Sequence, residues 1–380
     1  MNKDPLVSIC TTFFNGEPYI YRLLNSCLNQ TYKNIEIVIV DDASTDGSEA
    51  VIRGYVAKDK RIKYFKNGNR VGVSESFLKM SECAKGDFAM VLGADDWLAR
   101  DFIEKGVSNL LNHPDVAGVV PKLTSLRDMK DGTFSFLNTV LDTFSPPEKY
   151  PREWFLKRIY RPIVLYVSGY ALVRRGDLLS AMDYYVKNYY HNPSKSLPEE
   201  FRGFFRRALG IDSMLFPEVL TRYKNFVFDS SMNYIKTEHS ANQTFDLRQD
   251  SLAAIFKDAC CYFLIHKYIY QPKWPEYYLG MKIFSVAQAL VSSCFYFFSN
   301  GMRLSFLNSR EGVVWVRRFF EEFSLFEIVA AIIYSIPMSV SRSFGWLKRK
   351  LLGRSGHKAK EFLVFTAENF LDSNKNFKVG

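Results

Sequence analysis

The chain has 380 residues, 47% hydrophobic and 24% charged, with a formal net charge of +10. That balance excludes a disordered or fibrous chain, and the length suits one large domain or two smaller ones. The basic excess gathers at Arg202, Arg206 and Arg207, at Arg317 and Arg318, and from Arg342 to Lys360, which favours anionic partners such as nucleotide phosphates, nucleic acid or an acidic membrane face. Six cysteines show no CxxC spacing; several fall on apolar faces, as reduced core thiols of a cytoplasmic protein do. Met1 to Pro5 carries no apolar signal segment.

Val7 to Thr12 is a β-rich run, read as the first strand. It breaks at Asn15-Gly16-Glu17-Pro18, a turn-forming group ahead of a helix. Ile20, Leu23, Leu24, Cys27 and Leu28 repeat at helical spacing, an amphipathic stripe. Ile35 to Val40 is a second buried strand, ending in the acidic turn Asp41-Asp42-Ala43-Ser44-Thr45-Asp46. Ile62 to Phe65 is a third strand, and Asn67-Gly68-Asn69-Arg70 leads into a helix through Met80. Phe88 to Leu92 then reads as a buried strand, bounded by Gly86-Asp87 and by Gly93. It ends in a second acidic turn, Asp95-Asp96. The order βαβαβαβ implies a parallel sheet with helices on both faces, so both acidic turns lie at one sheet edge. Open sheets bind ligands at that edge, and paired carboxylates there suit a divalent cation and a nucleotide. Either acid could instead cap the helix that follows it.

Val7-Ser8-Ile9, Asn15, Leu28-Asn29-Gln30-Thr31, Val40 to Asp46 and Ala94-Asp95-Asp96 together resemble family 2 glycosyltransferases with the GT-A fold, over residues 5 to 120. The resemblance implies that Thr12, Asn15 and Asp42 hold the nucleotide, that Asp95 faces its ribose, and that Asp96 binds Mn2+ or Mg2+. Two positions depart from the family pattern. Thr12 stands where a proline is frequent, and Gly93 stands where the acidic turn usually begins with Asp, which leaves metal binding to rest mainly on Asp96. A cation bridging the phosphates stabilises the charge that builds on the leaving diphosphate. A sugar nucleotidyltransferase would carry a basic Gly-rich loop after the first strand; Phe13 to Pro18 contains no Lys or Arg. GxGxxG and GxxxxGK[ST] are absent as well, which removes dinucleotide and P-loop readings.

Further on, residues 124 to 150 read as a long polar loop with Pro146-Pro147. Ile163 to Arg174, with Ser168-Gly169-Tyr170, resembles the family's small-residue strand in the acceptor pocket; Gly169 would admit a sugar, or mark a bulge in a buried strand. Leu215, Phe216, Val219 and Leu220 form a helical apolar face with Asp212 at its N-terminus. Asp212 is then either an N-cap or, by resemblance, the catalytic base that takes the acceptor proton. One base without an enzyme nucleophile implies single displacement with inversion. Phe226 to Phe228 and Met232 to Ile235 read as strands. Tyr234-Ile235-Lys236-Thr237-Glu238-His239 is similar to the family's Tyr-Arg-x-His element, with Lys236 in place of Arg. His239 is a metal or diphosphate ligand on that likeness, or a packed surface residue.

Residues 247 to 350 read as helical. Ile283 to Phe298 falls short of the about 20 residues a bilayer core needs, and Gln288 and serines interrupt it. Ser341 to Arg354 mixes Phe344, Trp346, Leu347, Leu351 and Leu352 with Lys348, Arg349, Lys350 and Arg354. That pattern suits an anionic interface, or equally a solvated helix packed on the catalytic domain. Gln-x-x-Arg-Trp, the mark of processive members, is absent, and no nucleic-acid module is recognised.

The expectation is therefore an α/β GT-A catalytic domain over residues 1–245, with a nucleotide-binding half to 120 and an acceptor half from 121. A helical region follows over 246–380. The expected enzyme moves one sugar from a nucleotide-diphosphate donor, by resemblance a UDP-sugar, to a glycan or lipid-linked acceptor at the inner membrane face. The non-catalytic alternative is a sugar-nucleotide-binding or scaffolding protein.

Overall fold

A computed structural model describes residues 4–129, 133–140, 148–156, 169–191, 211–239 and 364–366. The first third follows the expected alternation: β1 (Val7–Phe13), α1 (Glu17–Leu28), β2 (Ile35–Asp41), α2 (Ser48–Val56), β3 (Ile62–Lys66), α3 (Val73–Cys83) and β4 (Phe88–Val91). β2 and β4 are buried along their whole length, and their mostly apolar sequences suit strands covered on both faces. β1 pairs in parallel with β2 on one side and β4 on the other, and β3 continues the sheet beyond β2. The chain thus winds outward from β1 to β3 and then crosses back to β4. The crevice between the ends of β1 and β4 is a topological switch point, where such sheets hold ligands.

The quoted motif residues have structural work at the other edges. The Ser8 hydroxyl donates to Glu36 Oε1 at 2.6 Å and accepts from the Gly86 N–H at 2.9 Å. A Cβ at Gly86 would lie 2.7 Å from three backbone atoms of Leu6, Ser8 and Phe88, so the chain can cross here only as glycine. Gln30 is fully buried: its amide donates to the Ser26 and Ala99 carbonyls, and its Oε1 accepts from the Ile103 N–H. That side chain joins the end of α1 to the start of α4 (Phe102–Asn112).

Between β4 and α4 lies the two-residue β5 (Trp97–Leu98). The remaining strands run antiparallel. β6 (Val116–Asp128) pairs with β7 (Thr133–Val140) and with β9 (Leu172–Arg174), and β9 pairs with β4. The expected long loop at 124–150 is thus in its described part a hairpin followed by β8 (Glu148–Pro151). Its polar residues alternate with apolar ones, and Phe134, 1% exposed, packs edge-on against Trp97 with ring centroids 5.0 Å apart. α5 (Arg152–Leu156) follows β8, and α6 (Arg175–Tyr185) follows β9 and runs into a π-helical turn, Val186–His191. α7 is Ile211–Leu220. The two strands expected near 226 and 232 are one, β10 (Asn225–Glu238), pairing with β5, β6 and β8. β11 (Val364–Thr366) lies beside β7 at the sheet edge. In the region expected to be helical these are the only described residues.

The described residues through Thr237 form one compact unit with Phe365 and Thr366; Glu238, His239 and Val364 fall in a second. Among the described residues, no helix is long and apolar enough to cross a membrane. Cys10 and Cys27 are buried free thiols. Burial pushes both thiols up, Cys27 to about 12. The segments 283–298 and 341–354 lie outside the described residues.

Candidate functional site

The open ends of β1 and β2 are laced together. The Asp42 N–H donates to the Phe13 carbonyl at 2.9 Å, the Asn15 N–H to the Ser44 hydroxyl at 2.9 Å, and the Thr45 N–H to Asn15 Oδ1 at 2.9 Å. Asn15 and Ala43 both sit at positive φ, 55° and 62°. Asparagine tolerates that left-handed region, whereas alanine is strained there, and such strain clusters at functional turns. Thr12 is half-buried opposite Val40 and Asn15 is exposed.

Asp42 is buried yet well supplied with donors. Its Oδ1 accepts from Asn67 Nδ2 at 3.0 Å and the Val71 N–H at 2.9 Å, and its Oδ2 accepts from the Gly72 N–H at 2.9 Å. It therefore fastens the 67–72 turn over the end of β2. A carboxylate offers about four lone-pair sites, so Oδ2 retains one for a further donor. That turn carries Arg70, whose guanidinium stacks 3.9 Å from the centroid of Phe14, itself 36% exposed at the end of β1. Neither residue stood out from the sequence. Phe14 reads there as part of the loop after the first strand and Arg70 as part of the turn after the third, and only the fold brings them together.

The second acidic turn follows β4, whose pairing with β1 extends through the Leu92 N–H to the Cys10 carbonyl at 2.8 Å. Asp95 is half-exposed and Asp96 is buried. β10 grips Asp96 from two sides: the Tyr234 hydroxyl donates to Oδ2 at 2.7 Å and the Thr237 N–H to Oδ1 at 2.8 Å. Burial, and then the charge of Asp95, push the Asp96 carboxyl up to about 8; the Tyr234 and Thr237 bonds and the Lys236 ammonium pull the other way. The turn also explains Gly93. A Cβ there would lie 2.6 Å from Asp96 Oδ2 and 3.2 Å from Asp95 Oδ1, so both carboxylates fold over the position where the family pattern has an acid.

Asp95 and Asp96 are adjacent hard oxygen donors. A dication between them would relieve the repulsion and burial that keep a proton on Asp96, so the pair fits Mg2+ or Mn2+. Among the described residues no three His, Cys, Asp or Glu side chains group as a metal site. His239 is half-buried in the second unit. Gly169 is buried in a turn just before β9 rather than inside a strand, and its neighbour Tyr170 stacks on Tyr234 with centroids 4.0 Å apart. Asp212 falls at the described start of α7; its side chain, like residues 157–168, lies outside the described structure.

Residues 8–178 match the family model described as glycosyl transferase family 2. Those residues are a family 2 glycosyltransferase domain, and the parallel core of β1 to β4 flanked by helices is the α/β arrangement of the GT-A fold. The chain is 40% identical over 110 residues to an uncharacterized glycosyltransferase of Haemophilus influenzae, covering 29% of this chain and 44% of that one. It is 24% identical over 277 residues to the EpsH protein of Bacillus subtilis, covering 70% of this chain and 76% of EpsH. The chain thus spans less than half the length of the Haemophilus relative. A solved structure of S. aureus TarS 1-349 in complex with UDP-GlcNAc has a TM-score of 0.49 and 14% identity, covering 90% of this chain and 92% of that one.

Proposed function

We propose that this family 2 domain transfers one sugar, with inversion, from a nucleotide-diphosphate sugar to a hydroxyl of a glycan or lipid-linked precursor. The observation that carries the proposal is that the two acidic turns follow β2 and β4, the strands on either side of β1, and so lie at one edge of the sheet. Phe14, Arg70 and the spare lone pair of Asp42 flank one turn; Asp95 and Asp96 form the other. The first group suits a nucleoside, the aromatic ring offering a stacking face and the carboxylate an acceptor. The Arg70 guanidinium offers charge to the diphosphate. Asp95 and Asp96 would hold a divalent cation, which supplies charge stabilisation to the departing diphosphate. UDP is the donor nucleotide favoured by resemblance. Asp212 is proposed as the base, Gly169 as the point of acceptor approach and His239 as a further ligand of the metal or diphosphate.

One observation favours a second reading, a nucleotide-sugar-binding protein without turnover. Both oxygens of Asp96 already accept protein hydrogen bonds, and Gly93 supplies no leading acid. Conversion of UDP-sugars to free UDP, with Mn2+, with Mg2+ and with chelator, separates the two. Metal-dependent release supports the transferase. Tight donor binding without release in any condition, with acceptor extracts present, would leave the binding protein.

A further inference from the structure

We infer that Tyr234 is a positioning residue that fixes the acidic turn for its cation and ties it to the acceptor side of the site; the inference rests on the donor-site reading above. Its hydroxyl accepts from the Gly93 N–H at 3.0 Å and donates to Asp96 Oδ2 at 2.7 Å. One oxygen thus holds both ends of the turn. The ring cannot swing away: Tyr234 is fully buried, sits in register with Leu98 on β5, and stacks on Tyr170 at 24° between planes. With the Thr237 N–H on Oδ1, β10 determines which lone pairs of Asp96 remain for a ligand. Tyr170 follows Gly169, so whatever moves the 169–170 turn is felt by the ring whose hydroxyl holds Asp96. The coupling is mechanical contact between two packed rings, not a change of charge.

Calorimetry of UDP binding, with and without Mn2+, reads this directly on the wild type and on Tyr234→Phe, which keeps the stack and deletes the hydroxyl. The expected result is unchanged metal-free UDP affinity and an about tenfold smaller gain on adding Mn2+, the scale of one lost hydrogen bond to a charged group. A role confined to stability predicts a lower melting temperature with the full metal-dependent gain, and that result overturns the proposal. If Tyr234→Phe does not fold, Gly93→Ala takes its place, since the new Cβ displaces Asp96 Oδ2 from the hydroxyl without altering the tyrosine. A full metal-dependent gain in that variant also overturns it. Tyr170→Leu should show a smaller loss of the same kind, and an intact gain there removes the link to the acceptor side. Wild-type protein that binds no UDP in either condition overturns the donor-site reading itself.

Discussion

At the scale of single residues, the consequences centre on Asp96. Its carboxyl is pushed from 3.8 up to about 8 in the fold. The native state therefore holds a proton that the unfolded chain has released, and stability falls as pH rises. The stabilising term is fully present below about pH 4, declines through the neutral range and is gone above about pH 8. Asp96→Asn removes the term. In chelator-treated protein the melting temperature of the variant relative to the wild type should rise steadily from about pH 5 to about pH 8. A gap that stays constant across that series would mean Asp96 is already ionised in the fold. Asp42→Ala strips partners from Asn67, Val71 and Gly72, and should cost about 1–2 kcal/mol because the freed N–H groups near the surface regain water. It should also weaken the binding of bare uridine, which titration calorimetry can follow. For Asp212 the base and the structural role part company. Asp212→Asn should lower transfer by about 10²–10⁴-fold with donor affinity intact if the carboxylate takes the acceptor proton. Near-normal transfer would pass the role elsewhere.

At the scale of elements, α1 and the β6–β7 hairpin meet through Arg22 and Asp128. They form a 2.9 Å ion pair with side chains only 7% and 12% exposed. The guanidinium carbon lies 5.1 to 5.8 Å from the ring centroids of Tyr19, Tyr21, Trp97 and Phe134. Removing one partner of such a pair strands the other, so Asp128→Ala should destabilise by about 3–5 kcal/mol, while Arg22→Met with Asp128→Leu should cost far less. Urea denaturation of the two variants and the wild type decides the point, and a loss below about 1 kcal/mol in Asp128→Ala would count the pair as a solvated one. This contact also marks where the sequence stops being legible. β1, β2 and β4 could be read because a strand buried on both faces is mostly apolar, and the helices lying on them show an apolar stripe. The hairpin could not, because Thr133, Ser135 and their neighbours look like loop until Phe134 has Trp97 to pack on. Arg22 lies beside the apolar stripe of α1 and reads as solvated; its burial depends on an acid 106 residues downstream. Within the site the acidic turns were legible as local patterns. The Arg70–Phe14 stack and the grip of β10 on Asp96 were not, since each joins segments that only the folded sheet brings together.

At the scale of the whole molecule, the stretch from Ser341 to Arg354 is basic while the proposed donor is anionic. Replacing Lys348, Arg349, Lys350 and Arg354 by serine removes four positive charges and leaves the sequence of residues 1–239 and of β11 unchanged. Basic residues near an anionic surface contribute on the order of 1 kcal/mol each, and salt screens them. The four-serine variant should therefore stay in the supernatant with anionic vesicles that sediment the wild type at low salt, while donor turnover is unchanged. Equal sedimentation of both proteins, insensitive to salt, would rule the stretch out as a membrane anchor.

β10 has a bearing on how this chain could have diverged. Its alternation sends every side chain to the opposite face if one residue is added or lost, and Asp96 depends at once on the hydroxyl of Tyr234 and the backbone of Thr237. A single-codon insertion between Asn225 and Tyr234 would put Asn233 where the tyrosine stands and silence the acidic turn without touching it. Insertional scanning of the gene, selected on donor turnover, should accordingly leave a gap over β10 as deep as that over the acidic turn itself.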